Sequence, residues 1–289
     1  MKRAPWETEH ELSASAFANV LERRFVEFVR PKVEALTPGW DYLVFRVDDD
    51  WVFKVPKRQE IVSRMRQEVS LVTALPPLPV AIPRPTFHGV AADDLRFPFF
   101  GYPYLDGLFA SDPSVDPAPV IEAALALLDT LHGIVPPFAV EGKRQAQWER
   151  RLEELAEVQK RYPEFADSFT FLTAHKPQAP EAQSLLHGDL GPNHLLLNPT
   201  THQLTGVIDW ADATRGDPAQ DLIALILWSP SITTSVFNRH GGDSEELRRA
   251  YAYGLITGLE ILGEHDRWNP TALKGWHDTL LRVQAAITE

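Results

Sequence analysis

An aspartate, two histidines and an asparagine crowd one block, Leu185-Leu186-His187-Gly188-Asp189-Leu190-Gly191-Pro192-Asn193-His194. A second aspartate closes Gly206-Val207-Ile208-Asp209-Trp210. Apolar runs flank both acids: Leu185-Leu186 and Leu195-Leu196-Leu197 around the first, Val207-Ile208 before the second. Short apolar runs broken by Gly and Pro read as short strands joined by tight loops. Each acid is therefore expected at a strand end, held rigidly and facing one cleft. Two carboxylates so held suit phosphoryl transfer, in which one acid receives the proton of a substrate hydroxyl and the other holds magnesium. A lone aspartate more often caps a turn or closes a strand. The crowding of these groups into one block favours the chemical reading.

The elements that must position these residues suggest two lobes. Tyr42 to Val47 and Trp51 to Pro56, on either side of Asp48-Asp49-Asp50, read as a β-hairpin. Phe17, Val20, Leu21, Phe25, Phe28 and Val29 recur at helical spacing, and Pro31 ends the pattern. Lys54 stands among Val52, Phe53 and Val55, a poor place for an unpaired charge. Ile61, Met65, Glu68, Val72 and Leu75 share one helical face, on which Glu68 is the sole charge. An inward carboxylate predicts a buried counter-charge, and Lys54 is the nearest candidate. Two further strands are expected at Thr86 to Val90 and Arg96 to Leu105. Helices are expected around Val120 to Leu131, Trp148 to Val158, Phe165 to Leu172, Glu245 to Leu262 and Thr271 to Ile287. Strands first, then helices carrying the acidic block, make an α+β chain with a cleft.

At His187-Gly188-Asp189 and Val207-Ile208-Asp209-Trp210 the chain resembles the aminoglycoside phosphotransferase family of kinase-like enzymes, which also contains macrolide, choline and homoserine kinases. The resemblance implies a bilobal protein-kinase-like fold. A small antiparallel-sheet N-lobe would span 1–102, and a larger, mostly helical C-lobe 103–289. It implies Asp189 as catalytic base, Mg²⁺ as cofactor and ATP or GTP as donor. Lys54, set by Glu68, would meet the nucleotide phosphates, and Tyr104 or Leu105 would offer main-chain groups to the base. Asp221 resembles the family's acid that braces the catalytic loop. The family places an asparagine five residues after the aspartate. Here His194 has that place and Asn193 precedes it, so both stand as candidate metal ligands beside Asp209. Similar 2″-type aminoglycoside and macrolide kinases also carry histidine there, which makes it a subfamily mark. The glycine-rich phosphate loop of protein kinases is reduced here to Gly39 in Thr37-Pro38-Gly39-Trp40-Asp41.

Composition narrows the partners. The 289 residues carry a formal net charge of −12, which opposes binding to nucleic acid. An acidic chain suits a small, cationic acceptor, and the resemblance points to an aminoglycoside or a macrolide, hence to antibiotic resistance. The absence of cysteine excludes disulfides and thiol catalysis and fits a reducing cytoplasm. No apolar run follows Met1-Lys2-Arg3, so no secretory signal is expected, and the longest apolar stretch, Leu222 to Trp228, is too short to span a bilayer. The alternatives are a kinase of a small hydroxylated metabolite, a catalytically silent nucleotide binder, and a metal-dependent hydrolase built on His187, Asp189, His194 and Asp209. The hydrolase leaves Lys54 and the inward Glu68 unexplained.

Overall fold

The computed structural model describes residues 8–36, 39–136, 148–178, 180, 183–264 and 270–288. Two residues of the reduced phosphate loop, Thr37 and Pro38, lie outside them. The chain divides into two compact units: Met1–Asp106 with Gly206–Asp212, and Gly107–Thr205 with Ala213–Glu289.

The first unit opens with α1 (Ala14–Arg24), capped by the Ser13 hydroxyl, which accepts the Ala16 N–H at 3.1 Å. The helix stops five residues before the periodicity suggests. At Phe25 the backbone turns extended, and the ring packs against Phe28, Phe87 and Phe99. Aromatic burial outweighs the continuing pattern, and Val26 and Val29 are left in solvent. Strands β1 (Val33–Ala35), β2 (Tyr42–Val47), β3 (Trp51–Pro56), β4 (Phe87–Gly89) and β5 (Phe99–Pro103) form one antiparallel sheet in the order β1-β2-β3-β5-β4. The β2–β3 hairpin turns at Asp48 and Asp49, both at positive φ (51° and 61°), as tight hairpins require and as aspartate tolerates. Between β3 and β4 lies α2 (Ile61–Ala74). The end of α2 and the residues just past it are capped from outside: the Arg84 guanidinium donates to the Val72, Leu75 and Pro76 carbonyls at 2.7–2.9 Å. One face of the sheet packs Phe45, Phe53 and Phe99 on Phe17 and Leu21. The other packs Tyr42, Val52, Phe100 and Tyr102 on Ile61 and Met65 of α2.

The second unit adds β6 (Leu108–Phe109) and α3 (Pro117–His132), which Asp116 caps with proline at its first position. The single helix expected from Trp148 to Val158 is two, α4 (Trp148–Glu154) and α5 (Ala156–Arg161). They break at buried Leu155, whose N–H is shared between the Arg151 and Leu152 carbonyls. Then come α6 (Ala166–Ala174), β7 (Ser184–Leu186), β8 (Leu195–Leu197), β9 (Leu204–Val207), whose last two residues belong to the first unit, and β10 (Thr214–Gly216). β7 pairs with β10, and β8 lies between β6 and β9. The chain ends in α7 (Ile223–Trp228), α8 (Pro230–Arg239), α9 (Ser244–Gly263) and α10 (Pro270–Thr288). A β-carbon on Gly258 would meet Leu280 Cδ2 at 2.4 Å, so α9 and α10 approach closely only because that position is glycine.

Candidate active site

Within the first unit, Lys54 on β3 and Glu68 on α2 are both buried, and Lys54 Nζ lies 2.9 Å from Glu68 Oε1. The Tyr42 hydroxyl donates to Glu68 Oε2 at 3.0 Å, so both oxygens of the buried carboxylate are satisfied. Lys54 Nζ also stands 3.0 Å from Asp209 Oδ1 and 4.2 Å from the centre of the Tyr42 ring. Burial opposes the ammonium charge, but Asp209 and Glu68 outweigh it and hold the Lys54 pKa well above the ordinary lysine value. Asp209 itself sits at φ 61°, a left-handed conformation that few residues other than glycine, asparagine and aspartate adopt. Two hydrogen bonds secure the approach to it. The Val207 N–H reaches the Ala81 carbonyl at 2.9 Å, and the buried Trp210 indole N–H returns to the Val207 carbonyl at 3.2 Å.

Within the second unit, β7 delivers His187, Gly188 and Asp189 to the end of a strand. The brace is Asp221, itself buried, whose carboxylate accepts the His187 N–H at 3.1 Å and the Gly188 N–H at 2.7 Å. His132 Nε2, at the end of α3, lies 3.0 Å from the same carboxylate. His187 is fully buried, and its Nδ1 accepts the Asp189 N–H at 3.3 Å, which puts the imidazole proton on Nε2. Gly188 takes φ 84°, open only to glycine at low cost. The Asp189 carboxylate is thereby turned out and is about half exposed, at 51%. His194 Nδ1 lies 2.8 Å from the Asp189 carbonyl and 3.5 Å from its Oδ2. Asn193 is exposed. Asp189, Asn193 and His194 all line a cavity of about 710 Å³ whose walls come from α7, α9 and α10.

Several polar groups near these residues are already committed to protein partners. The Tyr104 N–H is already committed to the Asp50 carbonyl at 2.7 Å, and Arg46 stacks 4.1 Å over its ring, so the hairpin takes the main-chain donor of Tyr104. Of the two, Leu105 is the one left as a main-chain donor. Asp212 pairs with Arg64 at 2.7 Å, and Arg64 in turn holds Asp41 at 2.8 Å. The acidic side chains Glu245, Glu246 and Glu260 of α9 do not line the cavity. Glu260 is gripped by Arg151 through two hydrogen bonds of 2.6 and 2.7 Å, and Glu245 pairs with Arg248. Glu246 is half-buried, which raises its pKa. Sequence reasoning missed His132 and Tyr42. His132 reads only as a helix end and Tyr42 as a core aromatic, because their partners lie far away in the chain.

Among the described residues, no three His, Asp or Glu side chains gather as a ligand set for a metal ion. The His187 and His194 rings are instead both turned to the Asp189 main chain, an arrangement that does not fit a resident zinc ion held by protein ligands alone. Magnesium asks for less, one or two carboxylates with the phosphates of a nucleotide supplying the rest. The half-exposed Asp209 carboxylate fits that demand.

The sequence pattern of the family described as "Phosphotransferase enzyme family" matches residues 32–265. The chain belongs to this family. Hygromycin-B 4-O-kinase of Escherichia coli is 32% identical over 88 residues, 29% of this chain, and that match spans 25% of the kinase's length. The fold is that of the phosphotransferases. Aminoglycoside 2'-phosphotransferase-IIIa, solved as a GDP complex, superposes with a TM-score of 0.74 at 22% identity, covering 95% of this chain and 99% of that one. A macrolide 2'-phosphotransferase from Brachybacterium faecium superposes at 0.63, also at 22% identity, covering 92% and 98%. This member of the phosphotransferase family shares with both the α+β, kinase-like architecture: an antiparallel sheet early in the chain and mostly helices after it. Among the described residues, no helix is long and apolar enough to cross a membrane.

Proposed function

We propose that this chain transfers the γ-phosphoryl group of ATP or GTP to a hydroxyl of a small, antibiotic-like acceptor, and that it does so in the cytoplasm. The observation that carries the reading is the held Asp189. Its loop is fixed by two N–H bonds to buried Asp221, and its carboxylate is exposed on the wall of a cavity large enough for a small molecule. In the reaction the acceptor oxygen bonds to the γ-phosphorus, the bond to the β-bridging oxygen breaks, and the hydroxyl proton passes to Asp189. The nucleoside diphosphate leaves. Asp189 needs no unusual basicity, because it orients the hydroxyl and receives its proton as the bond forms. Lys54, fixed by Glu68, meets the phosphate oxygens, and Leu105 offers its main chain to the base. Asp209 is the carboxylate that would hold Mg²⁺, which when bound neutralises charge on the β- and γ-phosphates. Of the two further candidates we favour Asn193, a hard oxygen donor. His194 has its Nδ1 turned to the Asp189 carbonyl and steadies the loop.

The test is nucleotide consumption with Mg·ATP and Mg·GTP against a panel of aminoglycosides, macrolides and amino-alcohols. Asp189→Asn serves as the control. The expected outcome is acceptor-dependent turnover that falls by about 10²–10⁴ in the variant with an unchanged melting temperature. Equal turnover in the variant would remove Asp189 from the role of base.

A further inference from the structure

The chemistry of the acceptor can be read from the wall of the 710 Å³ cavity. The α7 stretch Ile223-Ala224-Leu225-Ile226-Leu227-Trp228 has no polar side chain apart from the indole N–H. Leu225 and Ile226 point into the core and are fully buried. Ile223, Leu227 and Trp228, on the other side of the helix, are only partly buried and line the cavity. Trp276 of α10 and Ile261 of α9 add to the same wall. An apolar helix normally has both sides covered by protein; here one side is covered by whatever fills the cavity.

Charge gives the second observation. Among the described residues that line the cavity, Asp189 is the one carboxylate, and the other polar groups are neutral amides and threonines apart from His194. Glu245 and Glu260 of α9, which could have received a cation, are committed to Arg248 and Arg151. A polycation entering this cavity would shed water from several ammonium groups and meet a single counter-charge, an unfavourable exchange. An apolar body would gain from each wall residue it covers, and one amine could settle against a tryptophan face.

We propose that the acceptor is a hydroxylated compound with a largely apolar body and at most one positive charge, not a polycationic sugar. The local wall decides this against the overall charge of −12, which reports the whole surface. The proposal rests on the phosphotransferase reading for the word acceptor, but its binding test does not need turnover.

The experiment is calorimetric titration of the full chain with three probes: erythromycin (apolar, one amine), 2-(1-naphthyl)ethanol (apolar, neutral) and kanamycin (polycationic). Each titration is run at low and high salt. An apolar probe is expected to bind at least about tenfold more tightly than kanamycin, with a Kd nearly independent of salt. Trp276→Ala should weaken that binding about tenfold or more. Thr279→Asp, which adds a carboxylate to the wall, should favour kanamycin instead. Tighter, salt-sensitive kanamycin binding by the unaltered chain would overturn the proposal. So would failure of both apolar probes to bind with a Kd below about 1 mM. A parallel turnover assay separates the two questions: apolar binding without phosphorylation of any bound probe counts against the kinase reading and leaves the cavity preference standing.

Discussion

Lys54 Nζ lies 3.0 Å from Asp209, a residue 155 positions further along the chain, while holding Glu68 at 2.9 Å. One ammonium thus compensates two carboxylates, and the arrangement is lopsided if the lysine is lost. Lys54→Met leaves Glu68 buried with only the Tyr42 hydroxyl, and with Asp209 repelling it. We expect a loss of about 3–5 kcal/mol in urea unfolding at neutral pH. The loss should shrink in acid as Glu68 takes a proton. The double variant Lys54→Met/Glu68→Leu should recover most of the stability and none of the nucleotide binding. A stable single variant would show that the pair is not the buried counter-charge it resembles.

Asp221 serves three partners, two loop N–H groups and His132. Asparagine in its place keeps one acceptor oxygen and turns donors toward N–H groups. Asp221→Asn should cost about 1.5–3 kcal/mol and lower kcat. Nucleotide affinity should hold, because Lys54 and Glu68 belong to the other unit. His132→Ala leaves both loop bonds intact and should cost less on each count. Equilibrium unfolding and steady-state kinetics on the two variants compare them directly.

Gly188 at φ 84° gives a sharper contrast. Gly188→Ala adds a β-carbon in the left-handed region, a penalty of about 1–2 kcal/mol. The loop can escape it only by moving Asp189. The expected result is a small drop in melting temperature with a disproportionate fall in kcat, and Gly188→Asn should be milder in both.

Glu246 predicts a pH effect. Burial raises its pKa above the ordinary glutamate value despite His132 and Arg249 nearby. The folded state therefore binds this proton more tightly than the unfolded chain. Stability is lost as pH rises from the unfolded pKa through the folded one. Glu246→Gln removes that loss. Melting curves should show the variant more stable than the parent at pH 8, with the gap closing towards pH 4. A gap independent of pH would point to a different cause.

Much of the first unit was legible because its signals are local. The β2–β3 hairpin is bounded by a turn that aspartates tolerate, and Glu68 announced its partner by standing alone on an apolar stripe. The acidic block was legible for a similar reason, its glycine, proline and polar residues being too dense for ordinary loop chemistry. What was hidden depends on distance in the chain. Nothing near Phe25 says that Phe87 and Phe99 will claim its ring and end α1 early. Nothing near Tyr104 says that Asp50 will take its N–H. The all-apolar α7 was visible as a run, yet which of its sides would be left to line a cavity depends on where α9 and α10 lie. β1 and α8 went unread for another reason: three residues make too short a strand pattern, and the threonines and serines of α8 blur its period.

The return of Gly206–Asp212 to the first unit orders events during synthesis. When residues 1–106 have emerged from the ribosome, the sheet and α2 can assemble, and Lys54 can find Glu68. The second carboxylate is then still to be made, seconds of translation away at ribosomal rates. Through that interval the unit holds a balanced ion pair and a Tyr42 hydroxyl, but it lacks the Val207–Ala81 bond that positions the acid. A fragment ending at Asp106 should therefore fold with its lysine paired yet stay unfinished, and a peptide covering the return segment, supplied later, should bind it.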